Sequence, residues 1–211
     1  SPTVRGHPVA GIADLEALSA DRAMRDERLL GFVDAMERLA AGLPPDITPA
    51  AYVVGPFTLA GLMIGATRIA IATVEQPELV ARAVERSEQL IRQYGNRLIE
   101  AGAQAVAILE PTASLLSPDH FQQFAAPYIK EIVDTLETIP ILHICGRTNH
   151  LIEAMVQTGV QGLSLGPMVD FPQTVKEIPA DVVLVGNLDP VRLLNGRTPS
   201  GVYGTTQELM E

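Results

Sequence analysis

Short, nearly continuous apolar runs alternate with amphipathic stretches from about residue 50 onward, the pattern of repeated strand and helix units on a parallel sheet. Five runs read as strands buried on both faces: Ala51 to Val54, Ala105 to Leu109, Pro140 to Cys145, Gly162 to Leu165 and Val182 to Val185. Residues 77–101 carry an apolar stripe at helical spacing, through Leu79, Val80, Ala83, Val84, Leu90, Ile91, Tyr94 and Leu98, opened by Gln76-Pro77 and stopped by Gly102. Ser117, followed by Pro118 and Asp119, signals another helix start, and that helix is expected to run to about Glu137. A shorter helix spans about Asn149 to Thr158 and ends at Gly159. The N-terminal segment reads as helices over Ile12 to Leu18 and Arg25 to Ala41, with a turn at Gly42-Leu-Pro-Pro-Asp46.

Units of this kind either close as an eight-stranded barrel or stay open as a doubly wound sheet. Five strands are too few for a barrel of eight repeats, whereas an open sheet of five is complete as it stands. The 211 residues suffice for one domain, 1–211, with residues 1–50 as a helical N-terminal segment and 51–211 as the β/α repeats.

Charge and cysteine content narrow the function classes. Fifteen basic against 25 acidic side chains leave a formal charge of −10, so nothing replaces the counterions of a nucleic acid. A single cysteine excludes an internal disulfide framework and points to a reducing compartment, the cytoplasm. No apolar run approaches the ~20 residues needed to span a bilayer. The start, Ser-Pro-Thr-Val-Arg, lacks the layout of a signal peptide, and without an initiator methionine it reads as a processed start or a portion of a longer protein.

In either architecture functional groups gather beyond the C-terminal strand ends. Those ends carry Gly55-Pro-Phe-Thr58, Glu110-Pro-Thr-Ala-Ser114, His143-Ile-Cys145-Gly146, Gly166-Pro167 and Gly186-Asn187-Leu-Asp189-Pro190. His143 and Cys145 share one face of a strand, because side chains alternate. Imidazole and thiolate are both good zinc ligands, and the pair makes half of a tetrahedral site. The plainer reading is a small buried hydrophobe beside a hydrogen-bonded histidine. Glu110 ends an apolar run, where its charge needs a partner. Asn187 and Asp189 are equally ordinary turn formers, and Thr58 equally a helix cap. No glycine-rich phosphate loop and no Gly-x-Ser-x-Gly elbow occurs. His7, His120 and His150 fall in a loop or on helices and are given no catalytic part.

In order and spacing, the segments Val54 to Ala60, Glu110 to Ser114, His143 to Gly146 and Gly186 to Pro190 resemble the uroporphyrinogen decarboxylase superfamily. The His-x-Cys-Gly element is similar to its cobamide-dependent methyltransferase branch, including the methylcobamide:coenzyme M enzymes, more than to the decarboxylases. The resemblance implies a TIM-like (β/α)8 barrel, of which this chain holds about five units. It implies zinc on His143 and Cys145, with Glu110 as a further ligand or the group that orients a small thiol, and Thr58, Ser114, Asn187 and Asp189 shaping the substrate pocket. The methyl donor is then a methylcobamide on a corrinoid protein partner, and a homo-oligomer is compatible with it. A third ligand of the family, a distal cysteine, has no counterpart among these residues, and Gly166 stands where relatives often carry an acidic residue. The alternatives are a decarboxylase of the same superfamily, which needs carboxylate-binding arginines where only Arg147 is well placed, and a catalytically inert fragment.

Overall fold

The computed structural model describes residues 6–194 and 198–210. Three helices lead in: α1 (Ile12–Glu16), α2 (Ala20–Met24) and α3 (Glu27–Gly42). Strands β1 (Ala50–Val54), β2 (Ala105–Leu109), β3 (Ile139–Ile144), β4 (Gly162–Leu165) and β5 (Val183–Val185) follow, each within a residue of its sequence expectation. All pair in parallel in the order β1-β2-β3-β4-β5.

That order decides the architecture. A doubly wound sheet reverses its strand order at a switch point, whereas strictly sequential parallel strands with right-handed crossovers put every helix on one face. The protein is therefore wound as a TIM-like (β/α)8 barrel, with five strands present, and the doubly wound sheet is excluded.

Register and burial identify the two faces. Val106, Ile108, Leu142, Ile144, Leu163 and Leu165 align on one face and are buried beneath the helices. The opposite face carries Tyr52, Ala107, Ile141, Gly162 and Val183 in one row, and Tyr52 is 69% and Val183 63% exposed. This is the face that lines a barrel's interior, and His143 and Ser164 stand on it, one row nearer the C-terminal mouth.

The helices that follow β1 are α4 (Pro56–Ile64), α5 (Ala66–Glu75), α6 (Pro77–Glu100), α7 (Pro118–Phe124), α8 (Ala126–Thr135), α9 (Ile152–Val156), α10 (Phe171–Glu177), α11 (Pro190–Leu194) and α12 (Pro199–Met210). Gly65, at φ 105°, turns α4 into α5 through 101°. Among the described residues no single helix is long and apolar enough to cross a membrane. The one helix expected from Ser117 to Glu137 is two, broken at Ala125, because Pro127 lacks an N–H and crowds the preceding turn. The expected Asn149 to Thr158 helix opens with a 3-10 turn, Asn149–Leu151, before α9.

Candidate active site

The strand ends stay paired past the last ladder residues. Gly55 N donates to Leu109 O at 2.6 Å, and Glu110 N donates to His143 O at 2.8 Å. His143, half-buried, places Nδ1 3.0 Å from both the carbonyl oxygen and the hydroxyl of Ser164. A carbonyl only accepts, so Nδ1 is the donor in this bond, and in the neutral ring the lone pair is then on Nε2. No described group bonds Nε2. Cys145 is a free, exposed thiol one residue past the end of β3, which stops at Ile144 and not at Cys145 as expected. Ser164 was assigned no part from the sequence, since only the β3–β4 register brings it to His143.

Gly146, at φ 97°, turns the chain out of β3 against Ser114, and a Cβ on Gly146 would sit 3.7 Å from the Ser114 Cβ. Ser114 itself donates to Pro111 O at 2.7 Å. A Cβ on Gly166 would lie 3.3 Å from Gly146 N and 3.7 Å from the Cys145 Cα, so the wall beside the thiol is bare backbone.

Glu110 lies deeper, fully buried. Its carboxylate accepts from Phe57 N at 2.9 Å, from Thr58 N at 2.5 Å and from the Thr58 hydroxyl, which in turn accepts from Thr112 N at 3.1 Å. Both oxygens therefore cap the start of α4. Burial pushes the Glu110 carboxyl up to about 7, against the opposing pull of the Thr58 hydroxyl and the two backbone amides. Thr58 lies inside α4, and its hydroxyl is spent in this network. A Cβ on Gly55 would overlap the Glu110 carboxylate, which is why glycine precedes Pro56.

Asn187 and Asp189 belong to the mouth. Asn187 donates to Gly166 O at 3.2 Å and Val169 O at 2.8 Å, tying β5 to the β4–α10 loop. Both line a cavity of about 1130 Å³ with Arg147, His150, Met168 and Glu208. The remaining histidines are structural: His150 bonds Leu116 O at 3.1 Å, His7 bonds Leu62 O at 2.9 Å, and His120 packs on Phe124.

The structure thus groups the expected residues in two layers. His143, Cys145, Asn187 and Asp189 face the inner side or the mouth, and Glu110 and Thr58 lie beneath, with Ser114 at the boundary. A family model described as "Uroporphyrinogen decarboxylase (URO-D)" matches residues 1–211. The chain belongs to the uroporphyrinogen decarboxylase family. Within that family it is 28% identical over 215 residues to a methylcobamide:CoM methyltransferase of Methanosarcina acetivorans, covering 100% of this chain and 62% of the relative. It is 30% identical to a uroporphyrinogen decarboxylase of Prochlorococcus marinus, covering 90% of this chain and 58% of the relative. A solved methyltransferase from Methanosarcina mazei superposes with a TM-score of 0.73 at 27% identity, over 78% of this chain and 50% of that one. The chain thus spans less than two thirds of the length of these family members.

His143 and Cys145 suit two positions of a zinc site: a carbonyl on Nδ1 is the usual second partner of a ligating histidine, and the thiol beside it is free. Among the described residues no group of three or more His, Cys, Asp or Glu side chains could hold a metal, so the third protein ligand zinc requires is not among them.

Proposed function

We propose that this chain carries the thiol-activating half of a zinc-dependent methyltransferase that moves a methyl group from a methylcobamide on a corrinoid protein to a small thiol such as coenzyme M. The observation that carries this reading is His143, whose Nδ1 is committed to the Ser164 carbonyl while Nε2 stays open, two residues before the free, exposed thiol of Cys145. Relatives named methylcobamide:CoM methyltransferase support it, at 28% and 30% identity. His143 Nε2 and the Cys145 sulfur would hold the metal. Zinc held there would lower the pKa of a thiol, which is near ~8.5 when free, and would so supply a nucleophile at neutral pH. Ser164 keeps the imidazole in the ligating tautomer, and Asn187 holds the Gly166 to Val169 loop that borders the mouth. Arg147, Asn187 and Asp189 line the cavity at the mouth. The cytoplasm suits a chain whose one cysteine must stay reduced.

Zinc content and methyl transfer from methylcobamide to coenzyme M, compared between the wild type and Cys145→Ser in the protein of the full reading frame, test the reading. Zinc and transfer are expected in the first and lost in the second. Equal zinc in both would sink it. A second reading, decarboxylation, has the Prochlorococcus marinus relative on its side. Release of carbon dioxide from uroporphyrinogen, unaffected by Cys145→Ser, would favour it.

A further inference from the structure

Glu110 carries a full set of hydrogen bonds and yet touches no cavity. A buried carboxylate that served only to fill space would cost free energy that an apolar side chain would not. Its position explains why it is there. The side chain is held from the β1 side by Phe57 N, Thr58 N and the Thr58 hydroxyl, at the positive end of a helix of nine residues. Its own backbone N–H holds the His143 carbonyl on the β3 side at 2.8 Å. From Glu110 the chain enters the 3-10 turn Pro111–Leu115, whose Thr112 is bonded to Thr58 and whose Ser114 abuts Gly146, next to Cys145.

We propose that Glu110 is a positioning residue: it locks the exit of β2 to the first turn of α4 and thereby fixes the backbone that carries His143 and Cys145. One end of the lock is the α4 amides, which the carboxylate holds, and the other is the His143 carbonyl, which the Glu110 backbone N–H holds. Glu110 then acts through its neighbours and is neither a ligand nor a proton donor to substrate. The inference rests on reading His143 and Cys145 as the chemical pair, but its test needs neither metal nor substrate, so a failure of the zinc assignment leaves the test intact.

The readouts are the ring nitrogen shifts of His143 by NMR, which report the tautomer, and the rate at which iodoacetamide alkylates Cys145, the only thiol in the chain. In the wild type, His143 is expected as a single Nδ1–H tautomer. In Glu110→Ala that single signature is expected to be lost and the alkylation rate to change. Wild-type shifts and an unchanged rate in Glu110→Ala would overturn the proposal. Should Glu110→Ala not fold, Thr58→Val removes only the hydroxyl that links Glu110 to Thr112. It is expected to move the same signals in the same direction, and unchanged signals in that variant overturn the proposal as well.

Discussion

His143 donates from Nδ1 to the main-chain carbonyl of Ser164 across the β3–β4 pair, at 3.0 Å, and this bond leaves Nε2 as the free nitrogen of the ring. Because the acceptor is backbone, substitution of the serine side chain does not remove it. On the zinc reading proposed above, Ser164→Ala is expected to lower the zinc affinity of the full-length protein by less than about tenfold, the mild end of outer-shell effects, and His143→Ala should abolish the binding. Competition against a chelating dye separates the two, and equal losses would show that the hydroxyl, not the carbonyl, sets the ring.

Glu110 titrates near 4.5 when exposed and is pushed by burial to about 7 in the folded chain. Between those values the folded state holds the proton that the unfolded state has released, so unfolding free energy falls as pH rises. The contribution is complete below the unfolded pKa and lost by the time pH passes the folded one, and its size is about 3 kcal/mol. Glu110→Gln cannot titrate and should flatten that part of the stability curve. Urea unfolding across this pH range checks it, and a variant whose curve runs parallel to the wild type refutes it.

Gly55→Ala places a methyl group on the Glu110 carboxylate. The expected loss is about 3 kcal/mol, at the upper end for overpacking. In the double variant with Glu110→Ala the clash is gone, so the two effects should be clearly less than additive. A denaturant series on the single and double variants measures the coupling.

Leu142 and Ile139 lie on opposite faces of β3, the first fully buried and the second 45% exposed. Leu142→Ala is expected to cost about 2–5 kcal/mol, and Ile139→Ala well below about 2 kcal/mol because less apolar area leaves water there. Equal costs in this chain would mean that the faces are assigned the wrong way round.

Gly166→Asp would start a carboxylate beside Cys145, with Gly146 giving way by a few tenths of an ångström. On the zinc reading, a third donor next to His143 and Cys145 should tighten zinc binding, because a closed site takes four ligands. Isothermal titration with zinc provides the comparison, and no gain would place the new carboxylate out of reach of the pair.

Much of this arrangement was legible in the chain. Ala105–Leu109 is apolar throughout, as a strand covered on both faces must be, and both it and Gly162–Leu165 appear in the sequence with their observed bounds. Helix starts depend on one or two adjacent residues, and Ser117 caps α7 as its sequence suggests, accepting from His120 N at 3.2 Å. Local covalent geometry and local capping are sufficient for all of these. The unbroken helix to Glu137 failed on a residue that was equally visible, Pro127.

The rest depends on contacts between residues far apart in the chain. Barrel winding or open sheet turns on strand order, which no segment encodes alone. Glu110 stands at a strand end in the sequence like His143, but its carboxylate turns down to α4, 52 residues away in the chain, because a buried charge goes where the most donors are. Ser164 meets His143 only through the register of two strands 21 residues apart. The chain alone therefore determined which elements form and which chemical groups stand at their ends. Which of those groups face the mouth and which hold the structure beneath it was settled by long-range pairing and by the cost of leaving a buried polar group without a partner.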